Sequence, residues 1–456
     1  MAHILTNPFY KDVWSTDEMR DVFADRHRYQ RWLDVEAALA RVQARLGIIP
    51  QDAADEICKK AHLELLDVDA LKEHLVQAQH TFVPLLKQLE KACDNGAGEF
   101  IHYGTATQDI QDTATSLELK DAFRIIFRDM VILEKKLIEM AKKYNSQPMI
   151  GRSNNQHALP ITVGLKAASW AAEVRRNIER MKDMRKYIFV GLIHGSTGTM
   201  SGLGERAYEV VEGVLEELGL EMPACAWTGI RDNYGHFTVF LSQAAATISR
   251  ITNEIYQLSR TEINEFSEPT SSCSAGDNSI RQPLSAQVTA ICRIVVNNAP
   301  LALQAMIVEH ERDTRSWRLD WHHIPENSIL LSKALLDTIY LIDGLEINED
   351  NIKKNLNLLN GQVLSDIIVS RLQENSGKNL AQDLVNKCLL DAKNNEIAFD
   401  KCLSSNEEIK NFLSKQELAN LFDYSNHIGQ SVRQIDEVVN LSNTQSANDG
   451  LFLALE

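Results

Sequence analysis

The sequence lacks several features that mark particular classes of protein. Its seven cysteines are scattered over 456 residues, and they form no CxxC pair and no Cys/His cluster with zinc-ligand spacing. This pattern predicts a reduced, cytoplasmic protein with no metal site. The chain also lacks a basic N-terminal stretch followed by an apolar core, and it lacks any uncharged apolar run of membrane-spanning length. We therefore expect neither export nor a membrane span.

An excess of basic residues is missing as well. Asp and Glu number 63 against 47 Lys and Arg, which gives a formal charge of −16. Proteins that bind nucleic acid or anionic membranes carry basic patches, so this balance argues against both kinds of partner. A small anionic substrate is not excluded, because a few Arg or Lys side chains can dominate one pocket whatever the net charge.

Strand-like alternation of polar and apolar residues is nearly absent, whereas helical spacing of apolar residues is widespread. The spacing predicts long helices over residues 117–144, 163–187, 205–218, 237–262 and 284–308. So many long helices favour an all-α fold, in which an elongated long-helix bundle is flanked by smaller helical domains. The expected divisions are an N-terminal domain, 1–112, the bundle, 113–359, and a C-terminal domain, 360–456. The lesser alternative from helicity alone is an all-helical scaffold with no chemistry.

The first polar segment that interrupts the helices is residues 101–112, IHYGTATQDIQD. It places His102, Thr105 and Thr107 in a turn before a helix. Hydroxyls and exposed amides near a helix N-terminus suit a carboxylate ligand. The alternative is a simple N-cap made by Thr105 or Thr107, with Asp109 complementing the helix dipole.

The second polar segment, residues 151–162, has the sequence GRSNNQHALPIT. It combines Arg152, three amides and His157 immediately before another long helix. His157 is a candidate acid or base, because an imidazole titrates near neutral pH. A lone histidine of this kind is also often a structural hydrogen-bonding residue.

Two further segments point less directly to chemistry. Residues 194–204, HGSTGTMSGLG, are rich in glycine but lack GxGxxG spacing and a preceding strand, so they predict close-packed backbone instead of a nucleotide loop. Residues 310–321, HERDTRSWRLDW, mix charges with Trp317 and Trp321. A run of that kind is usually a solvated or interfacial helix face.

The most informative segment is residues 265–283, EFSEPTSSCSAGDNSIRQP, which lies between two long apolar-periodic stretches. Ser, Asp and Asn side chains compete for backbone hydrogen bonds, and Gly adds conformational entropy, so neither helix can continue through it. The pattern predicts a loop at the end of a long helix, in the position of an active-site loop.

Together these segments resemble the aspartase/fumarase superfamily, in the branch of the adenylosuccinate lyases and 3-carboxy-cis,cis-muconate cycloisomerases. Residues 25–40, DRHRYQRWLDVEAALA, look like the opening of these enzymes. Residues 102–109, HYGTATQD, are similar to the HxGxTSxD element, and residues 152–160, RSNNQHALP, are similar to RTHxQxAxP. Residues 274–283, SAGDNSIRQP, occupy the place of SSxMPxKxNP. The resemblance covers nearly the whole chain, although no motif is intact.

The resemblance implies an all-helical homotetramer in which three subunits assemble each active site, with no metal or organic cofactor. The family reaction removes a proton beside a carboxylate and expels a group from the adjacent carbon, or runs the reverse addition. A carbanion beside a carboxylate is expensive, so such sites surround the carboxylate with donors and place the base on a closing loop. The resemblance therefore implies a lyase or cycloisomerase that acts on a small polycarboxylate.

The same resemblance implies roles for individual residues. Ser274 matches the loop serine that acts as base, and Ser271 and Ser272 remain rivals because few loop residues agree. His102 and His157 are candidate acids. The residues expected to bind substrate are Thr105, Thr107, Arg152, Asn154, Gln156, Arg281 and Gln282.

Departures from the family pattern bear on the substrate. The family's general-acid His falls at Asn154, which cannot transfer a proton, and the loop Lys that holds a substrate carboxylate falls at Ile280. Muconate cycloisomerases also lack the His and carry a Trp pair like Trp317 and Trp321, which favours a muconate-like acid or an N-substituted aspartate. His157 resembles the adenylosuccinate lyase pattern, so that purine-pathway function is one alternative. The lost Lys and His motivate another, a catalytically retired tetramer kept for binding or structure.

We predict that Ser274→Ala removes most activity and leaves thermal stability nearly unchanged, because a solvated loop residue has little packing to lose. Ser271→Ala should be milder. Turnover and melting temperature of Ser274→Ala, Ser271→Ala and Ser272→Ala check this expectation. Near-native turnover of Ser274→Ala, beside loss of turnover in either of the other variants, would show that the loop alignment is out of register.

Overall fold

Helices dominate the computed structural model, which describes residues 3–269 and 283–453. The α-helices are α1 Lys11–Trp14, α2 Asp17–Val22, α3 Asp25–Arg45, α4 Gln51–Lys60, α5 Val68–Ala78, α6 Val83–Ala92, α7 Thr107–Lys143, α8 Val163–Ile188, α9 Ala207–Leu218, α10 Asp232–Leu258, α11 Leu284–Asn297, α12 Ala299–Ala305, α13 Thr314–Asp343, α14 Glu349–Leu356, α15 Ser365–Ser376, α16 Lys378–Asn395, α17 Phe399–Ser405, α18 Glu407–Lys410, α19 Lys415–Leu421, α20 Ser431–Gln445 and α21 Asp449–Leu453. The strands are β1 Pro148–Ser153, β2 Gln156–Thr162, β3 Phe266–Ser267 and β4 Glu346–Ile347. The predicted all-α class with a long-helix bundle is confirmed.

The bundle consists of α7, α8, α10, α11 with α12, and α13. Helix α10 packs against α8, α11 and α13, and α7 packs against α8 and α13. The starts of α7, α10 and α13 lie at one end of the bundle, because Arg231, next to α10, bonds to both Asp112 of α7 and Asp320 of α13. We call this end the His102 end. The opposite end, where α7, α10 and α13 finish, is the hairpin end.

Helix α7 sets the length of the bundle. It runs for 37 residues without Gly or Pro, so it spans about 55 Å between the two ends. It starts at Thr107, earlier than residue 117, where the apolar pattern predicted its beginning. Gln108, Asp109 and Asp112 are buried in the added turns, and each has hydrogen-bond partners there. Tertiary partners therefore stabilise a helix where the polar sequence indicated a turn.

The other predicted helices agree more closely with the structure. Helices α8, α9 and α10 begin and end within five residues of the predicted bounds. The segment predicted as one helix over 284–308 is divided into α11 and α12. Pro300 lies in the first turn of α12, where its missing N–H interrupts the helical hydrogen bonds.

The β-hairpin of β1 and β2, which follows the end of α7, was not predicted from the sequence. Strands β1 and β2 pair antiparallel, with Ser153 opposite Gln156 and Arg152 opposite His157. The connection is therefore the two residues Asn154 and Asn155, which have φ values of +51° and +61°. Positive φ at both central residues is the mark of a type I′ hairpin turn, and asparagine tolerates it better than most residues. The pair of adjacent asparagines was the available signal.

The buried core is continuous from the N-terminal helices into the bundle. Trp32 of α3 belongs to the same buried cluster as Phe123 of α7. In the C-terminal region, buried side chains between Leu364 and Leu418 form a separate cluster. The chain then returns to the bundle, where Asp449 accepts a hydrogen bond of 3.0 Å from Arg175 of α8.

A buried ion cluster around Arg231 ties α7, α10 and α13 together. Arg231 bonds to Asp112 at 2.6 and 3.1 Å and to Asp320 at 2.9 and 2.6 Å, and all three side chains are at most 2% exposed. Trp317 donates to Asp112 at 3.0 Å, and Asp320 lies 3.0 Å from Nε2 of His323. Burial alone would lower the pKa of Arg231, but the two carboxylates raise it. Desolvation costs several kcal/mol per ion, so the cluster is favourable only while it is complete.

We expect Arg231→Met to destabilise the protein by about 3–5 kcal/mol, because it leaves two buried carboxylates without their cation. Arg433→Met is the control, since Arg433 pairs with Glu437 on the surface, where both side chains are more than half exposed. Its loss should cost about 0–1 kcal/mol. Urea denaturation at equal protein concentration measures both values, and equal losses would contradict the role of the cluster.

Candidate active site

Two glycine-containing loops meet at the His102 end. Gly104 has φ +77°, and a Cβ atom on it would lie 2.4 Å from the carbonyl oxygen of Gly202. A Cβ atom on Gly202 would lie 2.5 Å from the carbonyl oxygen of Gly104. Real Cβ contacts are longer, so the loops can approach this closely only because both residues lack side chains. The prediction of close-packed backbone in residues 194–204 is confirmed.

Asp109 fixes these loops to the start of α7. Its carboxylate accepts hydrogen bonds from the backbone N–H groups of Ala106 at 2.8 Å, His194 at 3.0 Å and Gly195 at 2.9 Å. The N-cap residue is Ala106, so the expectation that Thr105 or Thr107 caps the helix was wrong. The carboxylate of Asp109 already satisfies the first backbone donor, which leaves the threonine hydroxyls for other contacts.

His102 is held by a carboxylate that the sequence analysis did not identify. Its Nδ1 lies 2.7 Å from Oε1 of Glu36, and its backbone N–H donates to Oε2 of the same residue at 3.0 Å. Thr105 Oγ1 lies 3.1 Å from Nδ1 and 3.3 Å from the carbonyl oxygen of His102. Burial alone would lower the pKa of His102, but the charge and hydrogen bond of Glu36, with a contribution from Asp109, raise it.

Glu36 could have been noticed from its place on α3. Trp32, Val35 and Leu39 mark the apolar face of this helix, and Glu36 is 2% exposed among them. A carboxylate on a buried face needs a partner, because an unpaired buried charge is costly. Gln43, one heptad further along the same helix, donates to the carbonyl oxygen of Tyr103 at 2.9 Å. The polar residues of α3 thus hold the loop that carries His102.

The hairpin end carries the second group of predicted residues. Arg152 donates two hydrogen bonds to Glu265, at 2.9 and 2.7 Å, and Glu265 is fully buried and also accepts from Asn355 at 2.8 Å. The charge that was expected to bind a substrate carboxylate is therefore paired within the chain. Asn154 and Gln156, at the tip of the hairpin, are exposed.

His157 lies beside this ion pair and differs electrostatically from His102. Burial, followed by the positive charge of Arg152, lowers the pKa of His157, while Glu265 opposes the shift. The imidazole is therefore neutral near pH 7, and its Nδ1 is buried without a hydrogen-bond partner among the described residues. Of the two candidate acids, only His102 has surroundings that favour the protonated form.

The ends of the serine-rich segment are joined at the hairpin end. Glu268 accepts hydrogen bonds from the backbone N–H of Ser285, at 3.2 Å, and from its hydroxyl. Strand β3, just before the segment, pairs with β4. The predicted residues Ser274, Arg281 and Gln282, and the rivals Ser271 and Ser272, lie outside the described residues.

One chain does not bring the predicted residues together. His102, Thr105 and Thr107 lie at the start of α7, whereas Arg152, Gln156 and His157 lie beyond its end. A helix of 37 residues separates the two groups by about 55 Å. No reaction can use both groups unless they come from different subunits.

The tryptophan pair is packed against neighbouring side chains within the described part of the chain. Trp317 is 5% exposed, its indole N–H is bonded to Asp112, and Trp321 packs edge-on against it at 5.7 Å. Trp321 also lies 6.5 Å from Trp32, within the packed N-terminal region. In one chain Trp317 therefore offers almost no surface to a substrate. The residue supports the ion cluster instead.

Neither the cavity between α3, α7 and α9 nor a metal-ligand group among the described residues locates the site. A cavity of about 510 Å³ lies between α3, α7 and α9, but none of the predicted site residues lines it. Arg41 and Glu217, which are among its lining residues, are paired at 3.0 Å. Within residues 3–269 and 283–453, no group of three or more His, Cys, Asp or Glu side chains is arranged to hold a metal ion.

Comparison with known proteins identifies the family. The lyase family model matches residues 13–277, and the model of the adenylosuccinate lyase C-terminus matches residues 361–438. The N-acetyl-S-(2-succino)cysteine lyase of Dickeya dadantii is 34% identical over 442 residues, which cover 96% of this chain and 97% of that protein. The chain belongs to the aspartase/fumarase superfamily of lyases.

Two other relatives agree with the predicted branch of this superfamily. The adenylosuccinate lyase of Methanocaldococcus jannaschii is 32% identical and covers 93% of this chain and 94% of that protein. The crystal structure of the 3-carboxy-cis,cis-muconate lactonizing enzyme from Pseudomonas putida is 29% identical, covers 97% of this chain and all of that chain, and superposes with a TM-score of 0.90. The resemblance predicted from the sequence motifs is confirmed.

The chain is therefore a superfamily enzyme whose reaction is β-elimination, or the reverse addition, beside a carboxylate of a small polycarboxylate. The relatives that it matches over nearly their whole length include a named lyase and a named cycloisomerase. Neither alternative from the sequence, an adenylosuccinate lyase or a retired scaffold, is favoured by the comparisons.

We predict that Glu265→Gln lowers the pKa of His157 further, because the charge of Arg152 then acts on the imidazole without the opposing carboxylate. The pH dependence of diethyl pyrocarbonate modification at His157, followed by peptide mass spectrometry, measures this change. Glu254→Gln, which removes an ion pair with Lys166, serves as control and should leave the pKa unchanged. A higher pKa of His157 in Glu265→Gln would contradict the assigned electrostatics.

Proposed function

We propose that this enzyme cleaves the C–S bond of an S-(2-succino) thiol adduct and releases fumarate and a thiol, as a cytoplasmic homotetramer. The observation that carries the proposal is Asn154, at the exposed tip of the hairpin, where the family's general-acid histidine would stand. An amide there cannot protonate a leaving group. The name of the Dickeya relative, N-acetyl-S-(2-succino)cysteine lyase, supports a substrate of this class.

The reaction is an elimination with a simple balance of bonds. A base, for which Ser274 remains the candidate, takes a proton from the carbon beside one carboxylate of the succinyl group. The electron pair left on that carbon forms the double bond of fumarate as the C–S bond breaks. Sulfur departs with the bonding pair as a thiolate and then takes up a proton. His102, whose pKa is raised, is suited to supply that proton.

The choice of sulfur over nitrogen rests on leaving-group chemistry. A thiol has a pKa near 8.5, so a thiolate can leave without prior protonation, whereas an amine must be protonated before or during its departure. With Asn154 where the family places its acid, His102 is the remaining candidate to supply the leaving-group proton. A thioether depends on that proton less than an N-substituted aspartate or adenylosuccinate does, because a thiolate can leave before the proton arrives. This reason replaces the argument from the tryptophan pair, because Trp317 is buried and Trp321 is half-buried.

The tetramer is supported by the exposed apolar surface of the bundle as well as by the separation of the site residues. The stretch Leu284–Ala305, which covers α11 and α12, has the length and apolar composition of a membrane span, although it carries Arg293, and only 33% of its most apolar part is buried in one chain. The large apolar side chains exposed on or near α11, α12 and α13 are Val296, Leu303, Met306, Ile307, Leu336 and Tyr340. Partner subunits that cover this face would bury it without a membrane.

The substrate prediction is tested with purified protein and two succinyl adducts. We expect fumarate release from N-acetyl-S-(2-succino)cysteine with ordinary enzymatic efficiency, and little release from adenylosuccinate, whose amine is the poorer leaving group. Ser274→Ala, assayed under the same conditions, controls for contaminating lyases. Faster cleavage of adenylosuccinate than of the thioether would overturn the proposal.

The assembly prediction is tested by complementation. His102→Gln and Ser274→Ala should each be inactive alone, but co-expression should restore measurable activity, because a mixed tetramer can build some sites from unaltered residues of different subunits. Light scattering should show a stable tetramer in every sample. A stable monomer, or mixed tetramers with no recovered activity, would contradict sites shared between subunits.

A further inference from the structure

We infer that Glu36 is a positioning residue of the active site, which holds His102 in one orientation and one tautomer so that Nε2 exchanges a proton with the reacting molecule. Glu36 lies within residues 25–40, which resemble the opening of the family's enzymes, but the sequence analysis assigned it no role. The inference rests on the proposed function only in assigning His102 to the reaction. The pairing itself stands on the geometry at the His102 end.

The carboxylate of Glu36 contacts His102 at two points. One oxygen lies 2.7 Å from Nδ1 of the ring, and the other accepts the backbone N–H at 3.0 Å. A single rigid group thus fixes both the backbone of the loop and the rotation of the imidazole. Phe82 packs against the ring at a centroid distance of 5.4 Å and limits its remaining freedom.

The backbone of His102 shows that this arrangement is imposed by its surroundings. Its φ is +59°, in the left-handed region, which costs a residue with a side chain about 1–2 kcal/mol. Such conformations persist where neighbouring contacts over-determine them, and they cluster at functional sites. The bond from the backbone N–H to Glu36 is a contact of this kind. A purely structural loop could place Gly here, as it does at Gly104.

The hydrogen bonds also decide which ring nitrogen is available. Because Glu36 is an acceptor, Nδ1 must carry a proton and donate it. The hydroxyl of Thr105 can then donate to the carbonyl oxygen of His102, at 3.3 Å. Nε2 makes no hydrogen bond within the described part of the chain, and the side chain is 18% exposed. The nitrogen that can take up or release a proton is therefore the one that the protein leaves free.

The charged groups around His102 act in the same direction. Glu36, on α3, is 2% exposed, and Asp109, at the start of α7, is also buried. His80 approaches from the segment before α6, and burial, followed by the charges of Arg312 and Arg318, lowers its pKa, so it is neutral and adds no positive charge. The imidazolium of His102 is thus stabilised by Glu36 and Asp109, whose effects outweigh that of burial.

The test uses two substitutions at residue 36, one that keeps the size of the side chain and one that keeps its charge. In Glu36→Gln the charge is lost, so the pKa of His102 should fall, and the descending limb of kcat/KM against pH should move to lower pH. We expect kcat to fall about 100-fold with KM changed less than about threefold, since loss of an oriented proton donor acts mainly on the chemical step. Glu36→Asp, which keeps the charge, should recover part of kcat and return the pH limb towards that of the wild type.

Two measurements separate the possible outcomes. Diethyl pyrocarbonate modification of His102 across pH, read by peptide mass spectrometry, reports its pKa even in a protein that turns over no substrate. Fumarate release from N-acetyl-S-(2-succino)cysteine reports the reaction. Absence of turnover in the wild type would contradict the proposed substrate. A lowered pKa of His102 in Glu36→Gln would still support the positioning of His102 by Glu36.

Gln43→Ala is the matched control, because it removes another bond from α3 to the same loop without touching the imidazole. It should lower stability without moving the pH limb. An equal shift in Gln43→Ala would show that Glu36 only anchors the loop, and the inference would fail. It would also fail if Glu36→Gln left the pKa of His102 unchanged, or changed that pKa without moving the pH limb.

Discussion

The arrangement of the bundle depends on the ion cluster of Arg231, Asp112 and Asp320. These groups lie on or beside α10, α7 and α13, and each is almost completely buried. Charged groups lose several kcal/mol each when they leave water, and only a complete set of partners restores that loss. The cluster therefore specifies which three helix starts must meet, and in which rotation about their axes. Apolar packing along the helices would tolerate small shifts that this geometry excludes.

The position of His102 follows from the start of α7. One helical turn before Asp112, Asp109 binds the backbone of Ala106, His194 and Gly195, so the loop before the helix and the glycine-rich loop beside it are held by the same turn. Helix α3 is attached to α7 by Arg28 and Glu118, which bond at 2.9 and 3.0 Å. These buried charged groups thus fix the position of the loop that carries His102 relative to the bundle.

Long helices and their approximate bounds were predictable because apolar side chains repeat with the helical period along α8, α9 and α10. The early start of α7 was not, since buried Gln108 and Asp109 look like turn residues until their partners are known. The hairpin was missed because its signal is two asparagines, and the division of the helix at Pro300 was missed because a long periodic pattern continues across it.

For the site, the sequence predicted His102 and the hairpin residues. It could not show that Glu36 contacts His102 or that Glu265 contacts Arg152. These contacts join residues 66 and 113 positions apart in the chain. Sequence periodicity carries no information at that separation. Glu36 lies on the apolar face of α3, and Glu265 opens the segment that the sequence predicts as a loop. Their partners therefore become apparent only in the folded chain.

The two-residue turn of the hairpin allows the side chain at its tip to change but fixes the length of the turn. Arg152 and His157 face each other across the strands only because two residues, Asn154 and Asn155, connect them. One residue more or fewer would slip the pairing and turn alternate side chains to the opposite face. The backbone at position 154 requires positive φ, a region in which Asn, Asp and His are all enriched. In evolution, an exchange of histidine for asparagine at the tip would leave the strands undisturbed. The side chain at the tip can thus change by substitution, whereas the length of the turn is constrained.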